Sequence, residues 1–135
     1  LAAVAEYRTA QGAKIVLARS SGYMNESGNP AQHLLQFYSV EIDHLIVVHD
    51  ELDLDYGDVR AKFDGGHAGH NGLRDICEKC GTNYHRIRFG IGRPPGQMEV
   101  ADFVLKNFNS EERSKLRELV DLAIDKVENL IQQNP

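Results

Sequence analysis

Cysteine is scarce in this chain: Cys77 and Cys80 are its only thiols in 135 residues. Two cysteines three positions apart exclude a disulfide framework and agree with a reducing compartment. No apolar run approaches the roughly 18 residues of a membrane span, and no basic, apolar, small-residue signal pattern opens the chain, so it reads as soluble and cytoplasmic. Positive charge is not in excess either. The formal net charge of −5 argues against a protein that coats nucleic acid indiscriminately. Internal repeats and low-complexity tracts are lacking, which leaves a single globular domain as the expectation, since the 41% apolar content is enough for one core at this length. The chain starts at Leu1 rather than Met, as an incomplete record of a longer protein would.

The charge that is present is unevenly placed. Between Glu41 and Asp58 stand seven acids without a single Lys or Arg, whereas from Arg60 to Lys106 eight bases outnumber five acids. The latter stretch could dock a phosphate-bearing partner while the remaining surface stays acidic, although a solvated, charge-mixed face is the commoner meaning.

Glycine is concentrated in one place. Gly65-Gly66-His67-Ala68-Gly69-His70-Asn71-Gly72 holds four glycines in eight residues, a poor recipe for helix or strand because glycine loses the most backbone entropy on ordering. Such glycines fit positive φ or the close approach of a ligand, and here they are interspersed with two imidazoles and a carboxamide. The plainer reading is a loop whose Asn71 caps the following helix.

Around this loop the pattern alternates helix and strand. Ala13–Ala18 is a β-branched apolar run with a hairpin partner in Ala2–Thr9. Asn29-Pro30 opens a helix to about Val40, with Asn29 as cap. His44–His49 carries four consecutive aliphatics, as a strand covered on both faces does, and ends in His49-Asp50-Glu51-Leu52-Asp53. Ligands in open α/β sheets gather beyond such carboxyl ends, which makes Asp50 a candidate by position. A calcium loop over Glu51, Asp53 and Asp55 fits the EF-hand spacing badly. Val59–Phe63 alternates as a half-buried strand; Leu73, Ile76, Cys77 and Cys80 mark a short helix closed by Gly81; His85–Ile91 alternates with Arg86 and Arg88 on an exposed basic side. Zinc bound by Cys77, Cys80, His67 and His70 is the lesser reading beside core thiols, because structural zinc usually links more distant knuckles. A short helix over Val100–Phe108 and a long one opened by the Asn109–Glu112 capping box complete the chain; Leu116, Leu119, Val120, Ala123, Val127, Leu130 and Ile131 line the long helix on one side. Helix and strand signals in this order predict an α/β fold, a mixed sheet flanked by helices.

Three segments, Tyr23-Met24-Asn25-x-Ser27-Gly28, His49-Asp50-Glu51-Leu52-Asp53 and Gly65-Gly66-His67-Ala68-Gly69-His70-Asn71-Gly72-Leu73, follow one another in an order and spacing that closely resemble bacterial-type peptidyl-tRNA hydrolase. Arg86-x-Arg88-x-Gly90-Ile91-Gly92-Arg93-Pro94 matches a later strand and loop of that family, and the resemblance covers essentially the whole chain. It implies a monomeric esterase that cleaves peptide from the 3′ ribose of tRNA, without metal or cofactor. By the same resemblance Asn25 and Asn71 are amides that hold the peptide and scissile end, Tyr23 and Met24 line their cleft, Asp50 orients the catalytic imidazole, and His70 is auxiliary. Carboxamides suit this use because they donate and accept without titrating near neutrality. Lys62, Arg74 and Arg93, with the basic strand, would meet phosphates of the tRNA.

Two departures accompany the resemblance. The family's catalytic histidine lies in a Thr-Arg-His-Asn stretch that nothing before Ala13 matches, and its C-terminal tail is shorter here after Pro135. An incomplete record of a normal enzyme is the favoured explanation, since loss of the first strand would expose sheet edges and apolar surface. The alternatives are an inactive RNA-binding relative, splicing-factor-like, and a module that binds peptide ends or tRNA.

Overall fold

The computed structural model describes residues 3–10, 12–19, 27–66, 70–96, 98–104 and 106–133. These fall into two compact units, one of residues 1–45, 64–84 and 135, the other of residues 46–63 and 85–134.

The first unit begins with an antiparallel hairpin, β1 (Ala3–Arg8) and β2 (Lys14–Arg19), in which Ala3 pairs with Arg19 and Arg8 with Lys14. Its turn places Gly12 at φ +88°, where an L side chain would be strained. Helix α1 spans Gly28–Phe37. It starts before the expected cap: Asn29 lies inside the helix, because the Gly28 amide donates to Asp75 Oδ2 at 2.6 Å and so anchors the first turn. After α1, Tyr38 ties back to the hairpin, its hydroxyl donating to Glu6 Oε2 at 2.8 Å while the Lys14 ammonium reaches Glu6 Oε1 at 2.8 Å. A 3₁₀ turn at Ile42–His44 follows. Helix α2 (Asn71–Cys80) buries Leu73 and Ile76, as the three-and-four spacing predicts, and stops at Gly81, whose φ of +104° ends the helix without a Cβ penalty.

The second unit is a mixed three-stranded sheet under a long helix. Strands β3 (Ile46–Glu51) and β5 (His85–Gly90) run parallel, and β4 (Val59–Phe63) pairs antiparallel with the other side of β5, so β5 is central. Helices α3 (Val100–Val104) and α4 (Ser110–Gln133) follow. The core is Val59 and Ile87 of the sheet against Leu119 and Ala123 of α4, with Ile46, Tyr56, Phe89, Val127 and Leu130 packed around them. Asn109 opens α4 as the capping pattern predicts: its Oδ1 accepts from the Glu112 amide at 2.8 Å, and Glu112 Oε1 accepts from the Asn109 amide at 2.9 Å. Tyr56 fastens the same end by donating its hydroxyl to the Glu112 carbonyl at 2.6 Å.

Four expectations need correction. Val120 is exposed rather than part of the buried stripe, since it sits about 100° around the helix from Leu119. The short helix stops at Val104 rather than reaching Phe108. Strand β3 is not covered on both faces: it is an edge of the described sheet, and Val48 is 54% exposed. The basic side of β5 is not a surface. Arg86 is 2% exposed, and Arg88 is largely withdrawn into an ion pair with Glu51.

Candidate active site

At the carboxyl end of β3, Asp50 lies opposite Phe89 and Glu51 opposite Gly90 in the parallel register. Both are partly buried. His49, just before them, is buried, and its Nδ1–H donates to the Asp50 carbonyl at 2.8 Å. That bond orients the ring and leaves Nε2 as the unprotonated nitrogen of the neutral imidazole.

The loop between β3 and β4 is clamped to the end of β5. The amide of Gly90 donates to Asp58 O at 2.9 Å, that of Ile91 to Glu51 O at 2.9 Å and that of Gly92 to Leu54 O at 2.8 Å. Only glycine fits at position 90, where a Cβ would stand 2.3 Å from Asp55 O and 2.8 Å from Asp58 O. The acids flanking Asp50 are taken up by arginines. Glu51 Oε1 accepts from Arg88 Nε at 3.0 Å, and Asp53 Oδ1 accepts from Arg93. These pairings give the acidic cluster a use that needs no calcium. Local sequence could not reveal them, because each joins residues about forty positions apart in the chain.

In the other unit the glycine loop leaves β4 through two residues in the left-handed region, Asp64 at φ 64° and Gly65 at φ +100°. Asp64 tolerates this because its own Oδ1 accepts from the Gly65 amide at 2.6 Å. His67 and Gly69 lie outside the described residues. His70 is the N-cap of α2: its backbone is extended and its Nδ1 accepts from the Leu73 amide at 3.2 Å. The cap is therefore His70 and not Asn71, which is the first helical residue and whose side chain lies outside the described residues. Accepting at Nδ1 puts the neutral ring's proton on Nε2.

Tyr23, Met24 and Asn25 lie outside the described residues. Arg74 is exposed one turn into α2 and pairs with Glu78 at 3.4 Å. Lys62 is exposed on β4, and Arg93 is exposed beside Asp53. Of the expected phosphate ligands, these three are surface cations, whereas Arg86 and Arg88 are structural. The thiols are partly buried. Cys77 Sγ lies 3.5 Å from the Tyr84 hydroxyl, and burial, with Asp75 and Cys77 nearby, raises the pKa of the Cys80 thiol.

A mixed sheet flanked by helices defines an α/β protein. The family follows from comparison: residues 2–135 match the peptidyl-tRNA hydrolase family model, and the chain belongs to that family. It is 53% identical over 118 residues to the peptidyl-tRNA hydrolase of Streptomyces avermitilis, covering 87% of this chain and 58% of that one. With the Frankia casuarinae peptidyl-tRNA hydrolase the identity is 56% over 129 residues, 95% of this chain and 65% of the relative. The crystal structure of peptidyl-tRNA hydrolase from Acinetobacter baumannii superposes with a TM-score of 0.89 at 37% identity, covering 98% of this chain and 67% of that one. The chain thus spans about three fifths of the length of the curated relatives it matches. Among the described residues no helix is long and apolar enough to cross a membrane.

Proposed function

We propose that the protein hydrolyses the ester between a peptide's C-terminus and the 3′ ribose of tRNA, releasing tRNA for reuse in translation. The observation that carries this reading is Asp50 at the carboxyl end of the β3–β5 parallel pair, on the His49–Asp53 segment by which the chain resembles the family. In this reading Asp50 orients the imidazole that takes a proton from water. An imidazole held by a carboxylate is a stronger base and keeps the correct tautomer. Asn25 and Asn71 hold the peptide backbone and scissile carbonyl, Tyr23 and Met24 line the cleft beside them, and His70 is auxiliary. Its Nδ1 is occupied by the α2 cap, so only Nε2–H faces a substrate role, as a donor and not as a base. Lys62, Arg74 and Arg93 meet tRNA phosphates, which gives affinity without sequence preference. The protein acts in the cytoplasm as a monomer, folded as one peptidyl-tRNA hydrolase-like domain.

The base itself is not assigned to any of these 135 residues; reading the gene upstream of Leu1 for a Thr-Arg-His-Asn stretch tests that part of the reading. For the chemistry, Asp50→Ala and Asn71→Ala in the full-length protein are each expected to lower hydrolysis of an N-blocked aminoacyl-tRNA by about 100-fold or more while the circular dichroism spectrum stays unchanged. Near-normal turnover in both variants refutes the assignment. Salt-sensitive binding of structured RNA with no ester cleavage would instead favour a non-catalytic RNA-binding relative.

A further inference from the structure

At the end of β3 the backbone ladder fixes one carbonyl, and a side chain holds its neighbour. Glu51 O accepts from the Ile91 amide at 2.9 Å, so the peptide groups of residue 51 face β5. Successive residues of a strand turn their N–H and C=O to alternate sides. The Asp50 carbonyl therefore faces away from β5, toward the outer side of a strand that is an edge of the described sheet. There the ring of His49 meets it, Nδ1–H donating to Asp50 O at 2.8 Å. A ring nitrogen of His49 also lies within 4.8 Å of an Asp50 carboxylate oxygen, so the ring flanks the side chain of the residue whose backbone it holds.

The residues on both sides of Asp50 are anchored. Glu51 is tied to β5 twice, by its carbonyl on Ile91 and by its carboxylate, which accepts from Arg88 Nε at 3.0 Å. His49 is 8% exposed, so water cannot take over the bond that its ring makes. What these ties leave to be set is the tilt of the peptide between residues 50 and 51, the group to which the Asp50 carbonyl belongs. A tilt of that plane is a rotation about the Asp50 backbone, and it turns the direction in which the Asp50 side chain leaves the strand.

We propose that His49 is a positioning residue: its Nδ1–H fixes the peptide plane between Asp50 and Glu51, and with it the direction in which the Asp50 carboxylate is presented. This rests on the hydrolase reading above, in which Asp50 orients the base. A catalytic group must be held to within about 0.5 Å and about 10–20° of its working geometry. Misplacement by about 1 Å is enough to lower the rate by tenfold or more.

The test uses the full-length protein with His49→Asn, His49→Gln and His49→Leu, each assayed for steady-state hydrolysis of an N-blocked aminoacyl-tRNA and for thermal stability. Asn sets its amide nitrogen where Nδ1 stands, Gln sets it where Nε2 stands, and Leu keeps bulk without a donor. His49→Asn is expected to keep kcat within about threefold of the parent, whereas His49→Gln and His49→Leu lower it by about tenfold or more with KM within about twofold. A purely structural role predicts the reverse order, because Gln and Leu fill a buried site better than Asn and activity would follow stability. Either of the two donor-displaced variants that folds is enough for the comparison. The ¹⁵N spectrum of the parent's imidazoles needs no variant: His49 is expected to carry its proton on Nδ1, and the other tautomer would overturn the proposal. Near-parent kcat in His49→Gln or His49→Leu, or His49→Asn as impaired as they are, would also overturn it. If the parent does not hydrolyse the substrate, or Asp50→Ala turns over normally, the hydrolase reading of the site falls and this inference with it. An impaired Asp50→Ala beside a normal His49→Leu removes this inference alone.

Discussion

Gly90→Ala would test whether the acidic loop is held in place by backbone contact with the central strand. The added methyl would sit 2.3 Å from Asp55 O and 2.8 Å from Asp58 O, whereas ordinary contact begins near 3.4 Å, so the loop or the strand must move by about 1 Å. The strand is fixed by pairing on both sides, which leaves the loop to yield. Moving it strains the Gly90–Asp58 and Gly92–Leu54 bonds of 2.9 and 2.8 Å. Overpacking contributes about 1–3 kcal/mol and a weakened backbone bond about 1 kcal/mol, for a loss of about 2–4 kcal/mol. In a domain of this size that lowers Tm by about 8–15 °C. Gly57→Ala is the matched control: its φ of +108° disfavours alanine, but nothing lies within 4 Å of the new methyl, so conformation alone should lower stability by about 1 kcal/mol. Calorimetry and urea titration of both variants give the comparison. Equal losses for the two, or a Gly90→Ala loss below about 0.5 kcal/mol, would refute the steric argument.

Other expectations concern charge. Arg93 is exposed beside Asp53, so Arg93→Ala should weaken tRNA binding and reduce the salt slope of log K by about one, while Asp53→Asn should strengthen binding; a gel-shift series in salt reads both. Arg86 is buried, so Arg86→Ala should lower stability by about 2–4 kcal/mol yet leave the salt slope of the folded fraction unchanged, and a changed slope would return Arg86 to the RNA-facing surface. Hydrogen bonds from Lys14 and then Tyr38 hold the Glu6 carboxyl below its usual value. Because the folded value is depressed, the tie between hairpin and α1 contributes above the unfolded carboxyl pKa and is lost as pH falls through the folded one. A ¹³C titration of the Glu6 carboxyl should therefore show a midpoint below that of an ordinary glutamate, and Tyr38→Phe should move it upward; an unshifted midpoint in the parent would contradict the tie.

Periodic signals make most of the fold legible in the sequence. Four aliphatics in a row gave β3, strict alternation gave β4 and β5, and the reciprocal Asn109–Glu112 cap was readable because both of its bonds close within four residues. What could not be read is set by partners distant in sequence. The alternation at Arg86 and Arg88 is the same for an exposed face as for a buried one; Arg86 is nonetheless enclosed, and the parallel pairing of β3 with β5 brings Arg88 to Glu51. The start of α1 shows the same limit. Asn29-Pro30 is a good local start signal, yet the helix begins at Gly28, because an aspartate 47 positions away supplies the acceptor that the local sequence does not. At the glycine loop a histidine takes the capping place that Asn would ordinarily fill. The local preference for Asn at a cap is overridden here because the His70 Nδ1 already meets the Leu73 amide, so the backbone need is filled one residue before Asn71.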